Sequence, residues 1–385
     1  MNKKTSNMEV KRINRNRVFR YMNELEQTSM TEIAAALKMS GPTVLTIVNE
    51  LKDAGLVEEI GEFQSTGGRK AKAFATAKHA VYTLGVDITR RHVGIAYTNL
   101  ARQTLQYERI WKIFENTEEY FEEVAELIRK FVKDNQIDEE KIAGMGLSMP
   151  GIVDRSRNHM TQSHVLGLSE INLENWTKYM PYPCEVMNDA NAAAIAECHD
   201  LEKEGGVIYI ALSNTVGGAV VFDANLKHAV DDNLYVGDNW RGGEFGHIMI
   251  RPDGRQCYCG KKGCFDAYCS AYQLEELSDK EHGKLEDFFA KLKEGQEPHR
   301  TLWQEYLENL SIAVVNLRMC LDCDVILGGY VGTFMEPYLE EFQQLVWEKD
   351  IFKDNKKYVR VGRYKKDVSA LGSAIFCIDR YIAEI

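Results

Sequence analysis

The sequence predicts a two-lobe α/β domain preceded by a winged helix-turn-helix, and three observations lead there. The chain has 385 residues, more than one ordinary domain holds, so two or three separate cores are expected. Charge is divided unevenly: residues 1–80 carry 13 Lys+Arg against 9 Asp+Glu, while the chain as a whole stands at −11. The first 80 residues are therefore electrostatically a different object from the rest. Finally, an order of strands and helices that begins beyond Lys78 starts again at Gly206, as two α/β lobes with a cleft between them require. The expected boundaries are 1–80 for the winged unit, 81–190 for the first lobe, completed by a C-terminal helix at about 369–385, and 191–368 for the second lobe.

In the winged unit, a helix over 10–24 places Ile13, Val18, Tyr21 and Met22 on one side, the apolar recurrence of an amphipathic helix. A second helix over 30–37 carries Ile33 and Leu37 on its buried face. The third is capped by Ser40 or Gly41 and opened by Pro42, whose missing N–H costs nothing in a first turn. Val44, Ile47, Val48 and Leu51 form its inward stripe, and Thr43, Thr46 and Asn49 its opposite face. Short polar side chains of this kind reach base edges or phosphates when a helix lies in the major groove. A small helical bundle with a polar face would read the same way up to this point.

The next segment favours DNA. A strand over 56–60, a turn over 61–68 and a returning strand over 69–74 make a β-hairpin wing, since two apolar-patterned runs flank a glycine-bearing turn. Arg69 and Lys70 lie at its tip and Lys72 just behind, cations suited to phosphates or a narrow minor groove. Operator DNA is the expected partner, met by Ser40, Thr43, Thr46, Asn49, Arg69, Lys70 and Lys72.

No apolar run approaches the roughly 20 residues that cross a bilayer, and Met1 to Arg20 is polar and basic without a secretory pattern. A cytoplasmic protein without membrane contact is expected. In a reducing compartment the nine cysteines read as thiols or metal ligands rather than disulfides. Their spacing separates the two. His247, Cys257, Cys259 and Cys264 place four ligands around a glycine-bearing loop, the composition of a closed tetrahedral zinc site. Cys320 and Cys323 lie between a helix and a strand with no partner pair, and read as buried core thiols.

Strands are expected at 81–87, 92–99, 104–110, 143–149 and 185–187 in the first lobe, and at 207–212, 218–222, 325–327 and 358–361 in the second. Asn188-Asp189-Ala190-Asn191 falls at a strand end before a helix, where ligands of α/β sheets gather. Asp189 fits a general base for a sugar hydroxyl, and equally an N-cap.

Together, Glu244-Phe245-Gly246-His247 followed by Cys257-x-Cys259-Gly260-x-x-Gly263-Cys264 resemble the ROK family (repressors, open reading frames and kinases), in its repressor branch. The resemblance spans nearly the whole chain. It implies an actin-like ATPase (ribonuclease H-like) fold, structural zinc on the four ligands named, and a sugar near Gly151, Asn188, Asp189, Glu244 and His247. The family's sugar-contacting Glu after the last zinc cysteine is here Asp266.

The phosphate loops depart from the kinase pattern. Where the kinases resembled here carry Asp-x-Gly-Gly-Thr, this chain has Asp87-Ile88-Thr89-Arg90-Arg91, and bulky side chains replace glycines whose backbone N–H groups cradle phosphate. The second segment, Leu212 to Gly218, has Thr215 where a glycine is expected, and Leu327-Gly328-Gly329 keeps an adenosine-side turn. Asp189 is then a vestigial base serving as a hydrogen-bond acceptor, with no catalytic residue expected. The expected function is a sugar-responsive repressor of carbohydrate-metabolism genes, a homodimer or homotetramer with a sugar or sugar phosphate effector. The alternative is an active ATP-dependent hexose or N-acetylhexosamine kinase carrying a DNA-binding unit.

Overall fold

The computed structural model describes residues 7–63, 71–199, 201, 205–223, 233–278, 284–353 and 355–385. Its N-terminal unit contains α1 (Asn7–Asn23), α2 (Met30–Leu37), α3 (Gly41–Asp53) and an antiparallel hairpin of β1 (Val57–Glu62) and β2 (Lys72–Thr76). Ser29 opens α2 through a reciprocal capping box: its hydroxyl accepts the Glu32 N–H, and the Glu32 carboxylate accepts the Ser29 N–H. Lys38 ends α2 in the left-handed region at φ 53°, and Ser40 caps α3 by accepting the Thr43 N–H. Val18, Phe19, Met22, Ile33, Val44, Ile47, Val48 and Leu51 fill the space between the three helices.

One expected core residue of α1 is misplaced by the sequence reading. Ile13 is exposed and Phe19 is fully buried, because nine residues of helix separate Ile13 from Met22 and at about 100° each they face opposite ways.

The apolar core of this unit continues beyond it. Val81, Leu100, Ile378 and Ile382 belong to the same buried cluster, and the Asn23 amide donates to the Leu100 carbonyl at 3.0 Å. At the centre of the junction Asp379, 3% exposed, accepts from Arg20 of α1 at 3.1 Å and also from Arg102.

The first lobe is a five-stranded sheet of β3 (Tyr82–Ile88), β4 (His92–Asn99), β5 (Thr104–Trp111), β6 (Ile142–Met149) and β10 (Cys184–Asn188), ordered β10-β6-β3-β4-β5. β3, β4 and β5 form an antiparallel meander, and β6 and β10 run parallel with β3. Between β6 and β10 a small antiparallel sheet of β7 (Ile152–Asp154), β8 (His159–Ser163) and β9 (Leu168–Asn172) is inserted, which the sequence reading did not anticipate. These strands are only three to five residues long, too short for alternation to register.

The second lobe orders β11 (Val207–Leu212), β12 (Val216–Val221), β13 (Asp324–Gly328) and β14 (Val359–Val361) as β12-β11-β13-β14. The long helix Glu297–Leu321 covers it, burying Trp303, Tyr306, Leu310 and Val314.

Beyond β14 the C-terminal helix Val368–Glu384 packs on the first lobe and against the helix Asp189–Cys198. Backbones meet directly there: a Cβ on Gly372 would stand 1.7 Å from the Ala192 carbonyl oxygen, and one on Gly85 1.8 Å from that of Ala370. Two helices and a sheet are thereby held at a distance that only glycine permits. No described helix is long and apolar enough to cross a membrane.

Candidate functional site

The parallel strands β6 and β10 end at Met149 and Asn188, and β11 of the other lobe ends at Leu212. Their following loops meet at a cavity of about 370 Å³ between the lobes, the place where α/β sheets hold ligands. Gly151, Asn188, Asp189, Glu244 and His247 all line it. Gly151 adopts φ +148°, and a Cβ there would sit 2.9 Å from the Gln162 carbonyl oxygen, so the turn requires glycine.

Asn188, not Asp189, is the cap of the following helix. Its Oδ1 accepts the Asn191 N–H at 3.0 Å and its amide donates to the Gly151 carbonyl at 2.9 Å. Asp189 is the first helical residue, accepts the Ala190 N–H at 2.9 Å, and keeps its carboxylate on the cavity wall. The cap that the sequence allowed at Asp189 is thus filled by Asn188, and Asp189 faces the cavity.

Acid accumulates on this wall. Burial raises Asp189 to about 6, and burial together with the Asp189 charge raises Asp87 to about 7 against the Ser148 hydroxyl, 2.8 Å away, and Arg109. Burial and Asp189 also raise Glu244, with Arg241 opposing. A carboxyl raised in the folded state favours folding while protonated, and that contribution is lost as pH climbs from the unfolded value near 4 through the folded one. Asp189→Asn is expected to be more stable than the natural protein above about pH 7, with the gap closing toward pH 4; melting temperatures across that range check this.

The four expected metal ligands converge. The ligating atoms of His247, Cys257, Cys259 and Cys264 lie within 4.8 Å of one another, with His247 Nδ1 3.9 Å from Cys257 Sγ and Cys259 Sγ 3.7 Å from Cys264 Sγ. Ligands at 2.3 Å from a tetrahedral centre stand about 3.8 Å apart, so the cluster fits zinc. Gly260 at φ +89° and Gly263 at φ +77° turn the loop back on itself. A Cβ on Gly263 would meet the Arg251 carbonyl oxygen at 1.8 Å. Cys257 and Cys264 are buried in the second-lobe core beside Phe265 and Tyr268.

The ROK family profile matches residues 83–380, and a winged helix-turn-helix DNA-binding profile matches 26–58. The chain belongs to the ROK family. Its similarity to the xylose repressor of Caldicellulosiruptor bescii is 24% identity over 98% of this chain and 97% of that protein. With the N-acetylglucosamine repressor of Escherichia coli O6:H1 it shares 24% identity over 69% of this chain and 64% of that one. The crystal structure of a ROK family transcriptional regulator, a homologue of the E. coli MLC protein, superposes with a TM-score of 0.76 at 20% identity, covering 97% of both chains. The ROK domain accordingly has the actin-like ATPase fold, joined here to a winged helix-turn-helix.

Two loops on the cavity wall, after β3 and before β12, have backbone N–H groups already engaged. The Thr89 N–H donates to the His92 carbonyl at 2.9 Å and the His92 N–H to the Thr89 hydroxyl at 3.1 Å. In the second loop Asp266 accepts the Val216 N–H at 2.6 Å. Asp266 was expected to touch the sugar, but it is 4% exposed and is absent from the residues lining the cavity. A side chain one methylene shorter than Glu is engaged by the loop backbone instead of reaching the cleft.

Several cavity residues escaped the sequence reading. His164 and Tyr258 line it with ring centroids 5.5 Å apart, and the Tyr258 hydroxyl stands 3.3 Å from His247 Nε2. Tyr258 could have been found, since it lies between two ligand cysteines; His164 follows the unanticipated strand β8. Of the other cysteines, Cys323 is buried as expected but Cys320 is exposed: Cys320 sits in the last turn of Glu297–Leu321, and Asp322, left-handed at φ 49°, turns the chain before Cys323.

On the DNA-binding unit Ser40, Thr46 and Asn49 are exposed and Thr43 half-buried along α3. The Ser40 and Thr43 hydroxyls lie 2.7 Å apart, and the Thr46 hydroxyl donates to the Pro42 carbonyl at 3.0 Å. Lys72 on β2 forms an ion pair with Glu59 at 2.8 Å. Arg69 and Lys70 lie outside the described residues.

Proposed function

We propose that this ROK protein is a sugar-responsive transcriptional repressor that binds operator DNA through α3 and the wing, and senses its effector in the interlobe cleft without phosphorylating it. One element supports the coupling. The helix Val368–Glu384 begins at the cavity, where Val368 and Ser369 line the wall and the Ser369 hydroxyl donates to the Asp189 carbonyl at 3.2 Å. It ends against α1, through Asp379 to Arg20 and through the Ala383 carbonyl, which accepts from Asn16 at 3.4 Å.

An effector that prefers one arrangement of the lobes shifts that helix, and with it the DNA-binding unit, toward the same arrangement. The relatives named as xylose and N-acetylglucosamine repressors support a carbohydrate as the effector. The closed turn at Thr89 and the Val216 N–H already taken by Asp266 support a cleft that does not transfer phosphate. In the same reading zinc on His247, Cys257, Cys259 and Cys264 is structural: all four positions are protein ligands, and the metal orients His247 beside the sugar.

One winged unit reads one half-site, so the active species is a two-fold symmetric homodimer or a homotetramer built from it, acting on cytoplasmic DNA. The test uses duplexes selected from a random pool by the full chain. Asn49→Ala, at an exposed position of α3, is expected to weaken the selected duplex by about 1–3 kcal/mol and to relax preference at one base position, measured by fluorescence anisotropy at fixed salt. Unchanged affinity and preference on changing both Thr46 and Asn49, or magnesium-dependent ATP consumption with a hexose panel, would overturn the reading.

A further inference from the structure

We infer that Leu45 is a base-reading residue of α3 that recognises a thymine C5-methyl group, and that together with Asn49 it selects A·T over G·C pairs in the operator half-site. The inference rests on the DNA-binding role proposed above and adds which bases are read.

Leu45 departs from the other apolar residues of its helix. Val44, Ile47, Val48 and Leu51 are at most 2% exposed, whereas Leu45 is 47% exposed and lies outside the apolar cluster those four share. One position beyond Val44 turns the helix by about 100°, which takes Leu45 off the core stripe. Pro42, three residues before it, and Asn49, four residues after it, are exposed as well, so the three form one row on the outer face. That row begins in the first turn of α3, the part of a recognition helix that meets base edges in the major groove.

The chemistry left on this face is narrow. Guanine presents two acceptors in the major groove, N7 and O6, and arginine or lysine is their usual partner. The one cation of α3 is Lys52 in its last turn, paired with Glu59 at 3.1 Å and lying over the Phe74 ring. The Thr46 hydroxyl donates to the Pro42 carbonyl at 3.0 Å, so its proton is spent within the helix. Ser40 and Thr43 share one hydroxyl hydrogen bond at 2.7 Å. Glu50, an acceptor of the kind that reads cytosine N4, pairs instead with Lys11 at 2.6 Å.

Two groups remain for reading. The Asn49 amide has no partner among the described residues, and it offers the donor and acceptor that adenine N7 and N6 require. Leu45 offers apolar surface only, and the one apolar feature of the major-groove edge is the thymine methyl. A G·C pair at that step would set the side chain against polar O6 and N4 groups and strip them of water without replacing it. Leu45 and Asn49 stand about 6 Å apart along the helix axis, which places the methyl and the adenine about two base pairs from each other.

The test uses the full chain and the duplex it selects from a random pool, with affinity read by fluorescence anisotropy at fixed salt. Selected half-sites are expected to hold a thymine and, about two base pairs away, an adenine. Replacing that thymine by uracil removes the methyl alone and should weaken binding about 3- to 5-fold. Leu45→Ala should bind the thymine and uracil duplexes alike, and the uracil arm on the natural protein stands whether or not the variant folds. Indifference to uracil at every half-site thymine would overturn the inference. So would a uracil effect that persists in Leu45→Ala, or half-sites whose selected positions are all G·C; each of these leaves DNA binding itself in place. If the chain selects no duplex from the pool, the DNA-binding role fails with the inference.

Discussion

Asp379→Ala is expected to lower the stability of the full chain by about 3–5 kcal/mol, the cost of breaking a buried ion pair from one side. Asp379 is 3% exposed, and the side chains of Arg20 and Arg102 that meet it are 12% and 9% exposed. Its removal leaves two largely buried guanidinium groups without the carboxylate that pairs them. Ile378, Ile382, Val18 and Leu51 belong to one surrounding apolar cluster, which remains in the variant. The loss should therefore appear as early release of the winged unit, a separate low-urea transition followed by fluorescence of a probe placed on α3. Asp379→Asn keeps hydrogen-bond acceptance without charge and should fall between the two. If the junction depends on apolar packing alone, Asp379→Ala would cost under about 1 kcal/mol.

Cys264→Ser is the second large effect. Cys264 is 1% exposed and packs in the second-lobe core with Cys257 and Phe265, so its loss removes one of the four groups proposed to hold zinc and puts a hydroxyl among apolar groups. Structural zinc supplies folding free energy outright, and a decrease of several kcal/mol with complete loss of metal is expected. Metal analysis should give one zinc per chain in the natural protein and none in the variant. Because His247 belongs to both the ligand set and the cavity wall, sugar affinity should fall in parallel. Undiminished zinc content and melting temperature would contradict the assignment.

Much of this was legible in the chain. The capping Ser40, Pro42 and the stripe of Val44, Ile47, Val48 and Leu51 define α3 through local rules that act within one helix. The cysteine loop was legible because its ligands lie within 18 residues and its glycines mark where the backbone must reverse. What failed was of another kind. Whether a carboxylate such as Asp266 faces the cleft or a neighbouring loop N–H depends on one methylene and on tertiary position. The role of Asn188 as cap, with Asp189 left for the cleft, is decided by backbone angles that both residue types allow. The Arg20, Arg102 and Asp379 junction joins residues 277 and 359 positions apart, and no periodicity reports such a meeting.

The central claim, that occupancy of the cleft is transmitted along Val368–Glu384 to the DNA-binding unit, is tested most directly by operator affinity at fixed salt with and without a saturating cleft ligand. The ligand is the sugar or sugar phosphate that raises the melting temperature most. The dissociation constant is expected to change by about 10-fold or more, in either direction, equivalent to about 1.4 kcal/mol of coupling. An unchanged operator affinity while the ligand is demonstrably bound would contradict it.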